Sequence, residues 1–266
     1  MALLLQSFGW FLYGLLPRIS QRLHVAGTAP SAVSDLPPVR SPQPPDQEEA
    51  MSSTGRFVVF EGIDGCGKTT VSKMVAESMG SGALWTREPG DSPLGEQLRD
   101  VLLNRDVEID PRAEALLMLA DRAQHVRQLI RPAMQRGQWV ISDRFTHSTV
   151  AYQGYGRHLD PNQLLHMSRW AADGLEPDLV LWLEVDPEEA QRRRVQSGKA
   201  DRIEQAGISF QMLVHRGFKI LSNSSTEPWA VIDASQPLQQ VVQQSEAAIR
   251  QHLGWPQAEA AVANAG

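Results

Sequence analysis

The spacing of apolar residues changes at about residue 55. From Arg56 onward, short apolar runs alternate with stretches of helical period. Phe57–Phe60 is a β-rich run broken by the glycines of Gly62–Gly67. Val71, Met74, Val75 and Ser78 then recur at helical spacing. Leu84–Thr86 predicts a second short strand, and Leu94–Leu103 predicts a helix with Leu94, Leu98, Val101 and Leu102 on one face. Pro111 opens a long helix to about Gly137, whose buried side is expected at Leu116, Leu117, Ala120 and Ala123. Trp139–Ser142 is a strand that ends at Asp143, and Leu179–Val185 is an unbroken apolar run, as in a strand covered on both faces. Asp186 as N-cap, Pro187 behind it and Glu189 at capping-box spacing start another helix. Ala230–Ile232 predicts the last strand and 237–253 the terminal helix. Strands alternating with helices imply a three-layer α/β fold, a parallel sheet flanked by helices, and no internal repeat is visible.

Before residue 55 the pattern is different. Residues 1–16 are apolar but shorter than the roughly 18–20 residues of a membrane span, and they include Gln6 and Ser7. Residues 28–54 are rich in Pro and Ser and cannot bury enough surface to order themselves. Residues 1–54 are therefore expected to be an extension, 55–256 the folded domain and 257–266 a flexible tail. The apolar run lacks a charged segment before it, which makes it a poor secretory signal. No acid precedes Asp35, and Arg18 and Arg22 are present, so an organelle-targeting peptide stays open. So does a start at Met51, with the upstream residues a mis-assigned extension. Otherwise a cytoplasmic protein without stable membrane insertion is expected.

Composition narrows the classes. Hydrophobic residues make up 42% of the 266, enough for a substantial core. A net charge of -6 argues against a protein that coats nucleic acid. Cys66 is the one cysteine, which excludes an intrachain disulfide and a cysteine metal cluster and fits a reducing compartment.

The chemistry begins at Gly62-x-x-x-x-Gly67-Lys68-Thr69, set between a strand and a helix. Glycines let the backbone N–H groups of Gly62, Ile63, Asp64, Gly65, Cys66 and Gly67 curl around phosphate oxygens, and the helix that follows at Thr70 points its positive end at them. Lys68 would reach the β- and γ-phosphates of ATP, and the Thr69 hydroxyl would ligate Mg²⁺. Asp143 ends a strand at the carboxyl edge of the sheet, where ligands bind in such folds, and could orient the ion. Arg144 follows it and would face the transferring phosphates. Thr86-Arg87-Glu88-Pro89-Gly90 follows the second strand at the same edge. Arg122, in Asp121-Arg122-Ala123-Gln124, is either paired and partly buried or aimed into a pocket, although a solvated helix charge is the commoner case. Arg192, Arg193, Arg194, Lys199 and Arg202 form a basic cluster that reads as a solvated face or as a phosphoryl clamp. Gly198 and Gly207 bracket a candidate mobile lid over about 192–207. Together these features predict the P-loop NTPase fold and a phosphotransferase.

The combination of EGIDGCGKTT, TREPG, DRAQH, ISDRF with STVAYQG, and a lid segment ending in DRIEQ resembles thymidylate kinase over about Phe57 to Leu253. The resemblance implies phosphorylation of dTMP to dTDP by ATP with Mg²⁺, in a homodimer. It implies that Asp64 lies near the acceptor 3′-hydroxyl and the metal. Arg87 and Arg144 would organise the dTMP phosphate, Arg99 would belong to the acceptor site, and Arg122 would bond thymine. Ser148, Thr149 and Gln153 fall at base-contacting positions, and Tyr152 would crowd the sugar 2′ position. Two positions depart from the pattern. Met118 stands where many bacterial relatives stack a phenylalanine on thymine, and Ser197 stands where an arginine often precedes the lid glycine. With neither Gly65 nor Cys66 basic, lid charge has to come from elsewhere, and Arg193 is the favoured candidate. Catalysis would then be positioning and charge neutralisation, with lid closure excluding water. Rival readings are a kinase for another nucleoside or nucleotide, a nucleotide switch protein, for which no N/TKxD guanine motif is present, and a membrane-tethered protein.

Overall fold

The computed structural model describes residues 55–104, 106–197 and 207–254. The expected extension over 1–54, the tail over 257–266 and lid residues 198–206 lie outside these. Among the described residues, five strands form the sheet: β1 (Phe57–Glu61), β2 (Ala83–Arg87), β3 (Trp139–Asp143), β4 (Leu179–Glu184) and β5 (Trp229–Asp233). Their order is β2-β3-β1-β4-β5, and every neighbouring pair is parallel. The first strand in sequence is central, so the loop that leaves it opens at the middle of the carboxyl edge. All five residues of β1 are buried, as expected of a strand sandwiched between helical layers.

The helices are α1 (Lys68–Ser78), α2 (Pro93–Leu103), α3 (Pro111–His125), α4 (Arg131–Gln135), α5 (Thr146–Thr149), α6 (Pro161–Ala171), α7 (Pro187–Ser197), α8 (Gly207–Ser224) and α9 (Leu238–Leu253). Four of them begin with the same chemistry, an oxygen-bearing cap followed by proline. The caps are Ser92, Asp110, Asp160 and Asp186, and each accepts a hydrogen bond from a backbone N–H of the first turn. One core cluster joins β1, β4, α1, α8 and α9 through Phe60, Val71, Leu181, Phe218 and Ile249; another, of Phe57, Val126, Ile130 and Phe145, lies on the opposite face of β1. Among the described residues, no helix is long and apolar enough to cross a membrane.

Two expected buried faces are corrected. The long helix runs as predicted, through α3, a π-turn at Val126–Ile130 and α4, but it is rotated. Its buried residues in α3 are Glu114, Ala115, Leu119, Asp121, Arg122 and His125, while Leu116 is 55% exposed and Ala120 and Ala123 are exposed. Polar residues hold the inside because each meets a partner across the site: Glu114 meets Gln153, Arg122 and His125 meet Glu88, and Asp121 meets the Gly90 N–H. On α2, Leu102 is buried, but Leu94 and Val101 are exposed. The sequence pattern left α5, α6 and α8 unassigned. At α6 the Asp160–Pro161 signature was a readable signal.

Candidate active site

The loop after β1 adopts backbone conformations that select glycine. Gly65 has φ +89°, and a Cβ there would sit 2.3 Å from the Ala190 carbonyl oxygen of α7 and 2.9 Å from Arg194 Cγ. Gly62, at φ +147°, would press a Cβ to 2.8 Å from the Leu183 carbonyl oxygen. At these two positions the loop therefore packs against β4 and α7 with no room for a side chain. Lys68 opens α1, and its Nζ donates to the Ile63 carbonyl at 2.8 Å and lies 3.6 Å from Cys66 Sγ. These contacts fold the lysine over the loop rather than out to solvent.

Thr69 donates its hydroxyl to Asp143 Oδ2, which joins the start of α1 to the end of β3. Asp143 Oδ1 is buried and has no hydrogen-bond partner among the described residues. A hydroxyl and a carboxylate with a vacant oxygen are hard donors of the kind Mg²⁺ takes, so this pair fits the ion. No group of three acidic, histidine or cysteine side chains among the described residues makes a complete cage.

Arg144 stands directly after Asp143 in a left-handed conformation, φ +78°. Nη2 pairs with Asp64 and donates to the Tyr152 hydroxyl at 3.1 Å. Nη1 donates to the Gly62 carbonyl at 3.2 Å and to Ser148 Oγ at 3.1 Å. The guanidinium also lies 4.8 Å from the Tyr152 ring centre. Burial works against its charge, but Tyr152, Asp64, Asp143 and Glu61 together raise its pKa further. Burial likewise opposes the Asp64 charge, yet Arg144 and Lys68 hold its carboxyl below the usual range. Gln211 on α8 donates to Asp64 Oδ2 at 3.1 Å.

Glu61, the last residue of β1, is wholly buried. Its Oε1 accepts the backbone N–H groups of Phe145 and Ser148, both at 3.0 Å, and its Oε2 accepts the Ser148 hydroxyl at 2.5 Å. Burial pushes its carboxyl up to about 7, against the opposing pull of Ser148 and Arg144.

A second buried polar group lies farther along the cleft. Arg122 donates through Nε and Nη2 to Glu88 Oε2 at 3.0 and 2.8 Å, and through Nη1 to Thr149 and Ser168. His125 Nδ1 donates to Glu88 Oε1 at 3.0 Å, and its Nε2 lies 2.6 Å from the Thr86 hydroxyl. Burial alone would raise the Glu88 pKa, but Arg122 and His125 hold it below the usual range. Asp121 accepts the Gly90 N–H at 3.1 Å, and burial with the Glu88 charge pushes it up to about 7. The network ties α3 to the loop after β2, where the Glu88–Pro89 peptide is cis. Arg99 Nη1 donates to the Pro89 carbonyl at 2.7 Å, and Arg87 pairs with Asp91 at 3.2 Å.

A cleft of about 560 Å³ runs across these groups. Lys68, Thr69, Thr70, Arg193 and Arg194 line it together with Arg87, Arg99, Arg122 and Arg144. The glycine loop and its lysine at one end thus meet an arginine-rich, partly apolar recess at the other.

The family model described as thymidylate kinase matches residues 60–245. The chain belongs to the thymidylate kinase family. The thymidylate kinase of Synechococcus sp. (strain RCC307) is 50% identical over 210 residues, covering 75% of this chain and 97% of that protein. That of Thermosynechococcus vestitus is 46% identical over 213 residues, covering 75% of this chain and 88% of its own. That of Pelotomaculum thermopropionicum is 48% identical over 186 residues, covering 68% of this chain and 86% of its own.

Most of the residues singled out by the thymidylate kinase resemblance meet in this cleft. Asp64, Gly65, Gly67, Met118, Asp143, Ser148, Thr149, Tyr152 and Gln153 line it alongside those named above. Gly62, Ile63 and Cys66 do not; Ile63 and Cys66 are buried beneath the loop, in the core. Arg122 is 2% exposed and is not a solvated helix charge. Gln153 donates to Glu114 at 2.8 Å. Arg193 bonds Glu189 and the Ala234 carbonyl, so α7 adjoins the loop after β5. Lys199 and Arg202 lie outside the described residues, as do the surroundings of Ser197. Sequence reasoning missed Glu61, Phe145 and Gln211; Arg194, one of the basic-cluster candidates, lines the cleft. Glu61 sits inside the quoted EGIDG, where a charged residue ending an apolar strand was the available signal. Gln211 had none, since it meets Asp64 only through the packing of α8.

Proposed function

We propose that the protein is a dTMP kinase that transfers the γ-phosphoryl group of ATP to dTMP, giving dTDP and ADP. The observation that carries this reading is the pairing of Arg144 with Asp64, which seats an acceptor-facing guanidinium directly on the donor loop. ATP binds along Gly62–Thr70 with Lys68 on its terminal phosphates, and Arg193 closes over it from α7. Thr69 and Asp143, with Asp64 nearby, would hold Mg²⁺, which neutralises charge on the phosphate oxygens. Arg87, Arg99 and Arg144 receive the acceptor's 5′-phosphate. Catalysis then consists of holding two phosphates in line in a site from which water is excluded.

At the base end, Arg122 uses four of its five N–H groups on Glu88, Thr149 and Ser168. One donor is left for a base carbonyl, such as one of thymine's. Met118, Thr149 and Gln153 shape the recess around the ring, and the thioether of Met118 packs where an aromatic residue would stack. Tyr152, fixed by Arg144, fills the space a 2′-hydroxyl would need, which favours deoxyribose.

A homodimer is proposed as the working form. Leu94 and Val101 on α2 and Leu116 on α3 are exposed apolar residues on two neighbouring helices, at 41%, 45% and 55% exposure. A second copy would cover them, and light scattering of a Leu116→Glu variant should report the monomer. The proposed location is the cytoplasm, and the targeting alternative falls on residues outside those described.

The deciding experiment is a panel of acceptors with ATP and Mg²⁺: dTMP, dUMP, dCMP and thymidine. dTMP should give the highest kcat/KM. Faster turnover of any other acceptor would overturn the assignment.

A further inference from the structure

We propose that Glu61 is a positioning residue that holds the donor loop and the acceptor-facing arginine Arg144 in register. The proposal rests on the dTMP kinase reading and goes beyond it, because Glu61 touches neither nucleotide in that scheme.

Three consecutive residues at the end of β1 grip the turn that carries Arg144. The Phe60 carbonyl accepts the Arg144 backbone N–H at 2.9 Å. The Gly62 carbonyl accepts Arg144 Nη1 at 3.2 Å. Between them, the Glu61 carboxylate takes the N–H groups of Phe145 and Ser148 and the Ser148 hydroxyl, and Ser148 Oγ in turn accepts from Arg144 Nη1. One side chain therefore joins the strand that launches the phosphate loop to the turn that aims the guanidinium. That turn needs an anchor, since Arg144 is held at φ +78°, a conformation costly for a residue with a Cβ.

Burying a carboxylate at 0% exposure is itself costly, and a neutral residue could fill the space. What only a carboxylate supplies is two acceptor oxygens for three donors beside a cation. Arg144 is the charged group facing it, and Asp64, Asp143 and Tyr152 share that cation. A carboxyl poised near 7 would also make the anchor weaken as pH falls through neutrality.

The test is a double-mutant cycle on the full chain with Glu61→Gln, Arg144→Ala and the pair. It uses dTMP turnover, dTMP binding by calorimetry and thermal unfolding. Glu61→Gln should lower kcat by about 10- to 100-fold and weaken dTMP binding, while KM for ATP stays within threefold. In the Arg144→Ala background it should cost less than twofold, because its effect passes through Arg144. The acidic limb of kcat/KM near neutrality should disappear in Glu61→Gln. Near-normal turnover in a folded Glu61→Gln protein overturns the proposal, and so does an equal loss with Arg144 absent. Failure of both Glu61→Gln and Glu61→Asp to fold would make Glu61 purely structural and overturn it too. If the wild-type protein moves no phosphate onto dTMP, the functional reading falls, and the coupling is then decided by the binding cycle.

Discussion

Replacing Arg122 by alanine tests the base end of the cleft most directly. The guanidinium and its partner Glu88 are 2% and 4% exposed, and two N–H groups converge on one carboxylate oxygen at 3.0 and 2.8 Å. Removing one member of such a pair leaves a buried charge without its counter-ion, which costs about 3–5 kcal/mol. His125 remains hydrogen-bonded to the other Glu88 oxygen, so the lower end of the range is expected. Lost contacts to Thr149, Ser168 and the Phe145 ring, 5.1 Å away, act in the other direction. About 3 kcal/mol would lower Tm by about 6–12 °C in a domain of this size. Urea unfolding followed by circular dichroism at pH 7.5 measures the loss. A neutral double variant, Arg122→Met with Glu88→Gln, should regain at least half of it, because no charge is then stranded. Neither variant should bind dTMP well, as both lack the base-facing donor. A single variant that loses less than 1 kcal/mol would refute the stranded-charge reasoning, as would a double variant no more stable than the single. Unchanged KM for dTMP in the folded single variant would remove Arg122 from the base pocket.

Lys68→Ala should reduce kcat by two or more orders of magnitude and move Tm by only a few degrees, since Lys68 makes one short hydrogen bond, to Ile63, and otherwise faces the cleft; a protein that melts instead would make it a structural residue. Gly65→Ala should abolish ATP binding measured by calorimetry, because its Cβ would meet the Ala190 carbonyl at 2.3 Å from a positive-φ position, and wild-type affinity would contradict this loop geometry. His147 is 1% exposed, neither nitrogen has a hydrogen-bond partner among the described residues, and burial pushes it down to about 4, with Glu227 opposing and Arg122 and Arg169 assisting. The unfolded chain therefore takes up its proton first as pH falls from about 6.5 toward 4, and stability drops by up to about 3 kcal/mol in that window. Unfolding of His147→Phe and wild type at several pH values should show the variant gaining over that range; a pH-independent difference would refute it.

The parts of this protein that were legible in the sequence are those with local causes. A glycine loop between strand and helix, and a cap followed by proline, are decided by a few neighbouring residues, and both stand where the pattern put them. The central strands were legible too, because a strand covered on both faces has to be apolar throughout. Helix faces are set by what lies opposite, and there the pattern misled. On α3, hydrophobic period assigned Leu116, Ala120 and Ala123 to the interior, but the interior holds Glu114, Asp121, Arg122 and His125. Arg122 and His125 are inside because Glu88 meets them there, Glu114 because Gln153 does, and Asp121 because the Gly90 N–H does; those partners come from the loop after β2 and the segment after α5.

The same division separates the ligand-facing residues from their supports. Resemblance identified Arg144, Asp64 and Tyr152, but the groups that aim them, Glu61 and Gln211, come from the end of β1 and from α8. Glu61 reads in sequence as a charge that ends a strand, the commonest of events. Only the parallel pairing of β1 with β3, which sets Phe60 beside Asp143, brings its carboxylate under the Arg144 turn. A site that works by positioning depends on such supports as much as on the groups that touch phosphate. Substitutions at Glu61 and Glu88 should therefore disturb catalysis although neither residue belongs to the phosphate-binding loop. Because the two act on different ends of the cleft, their effects should differ: Glu61 substitutions should lower kcat as well as dTMP binding, whereas Glu88 substitutions should act chiefly on the affinity for the acceptor base.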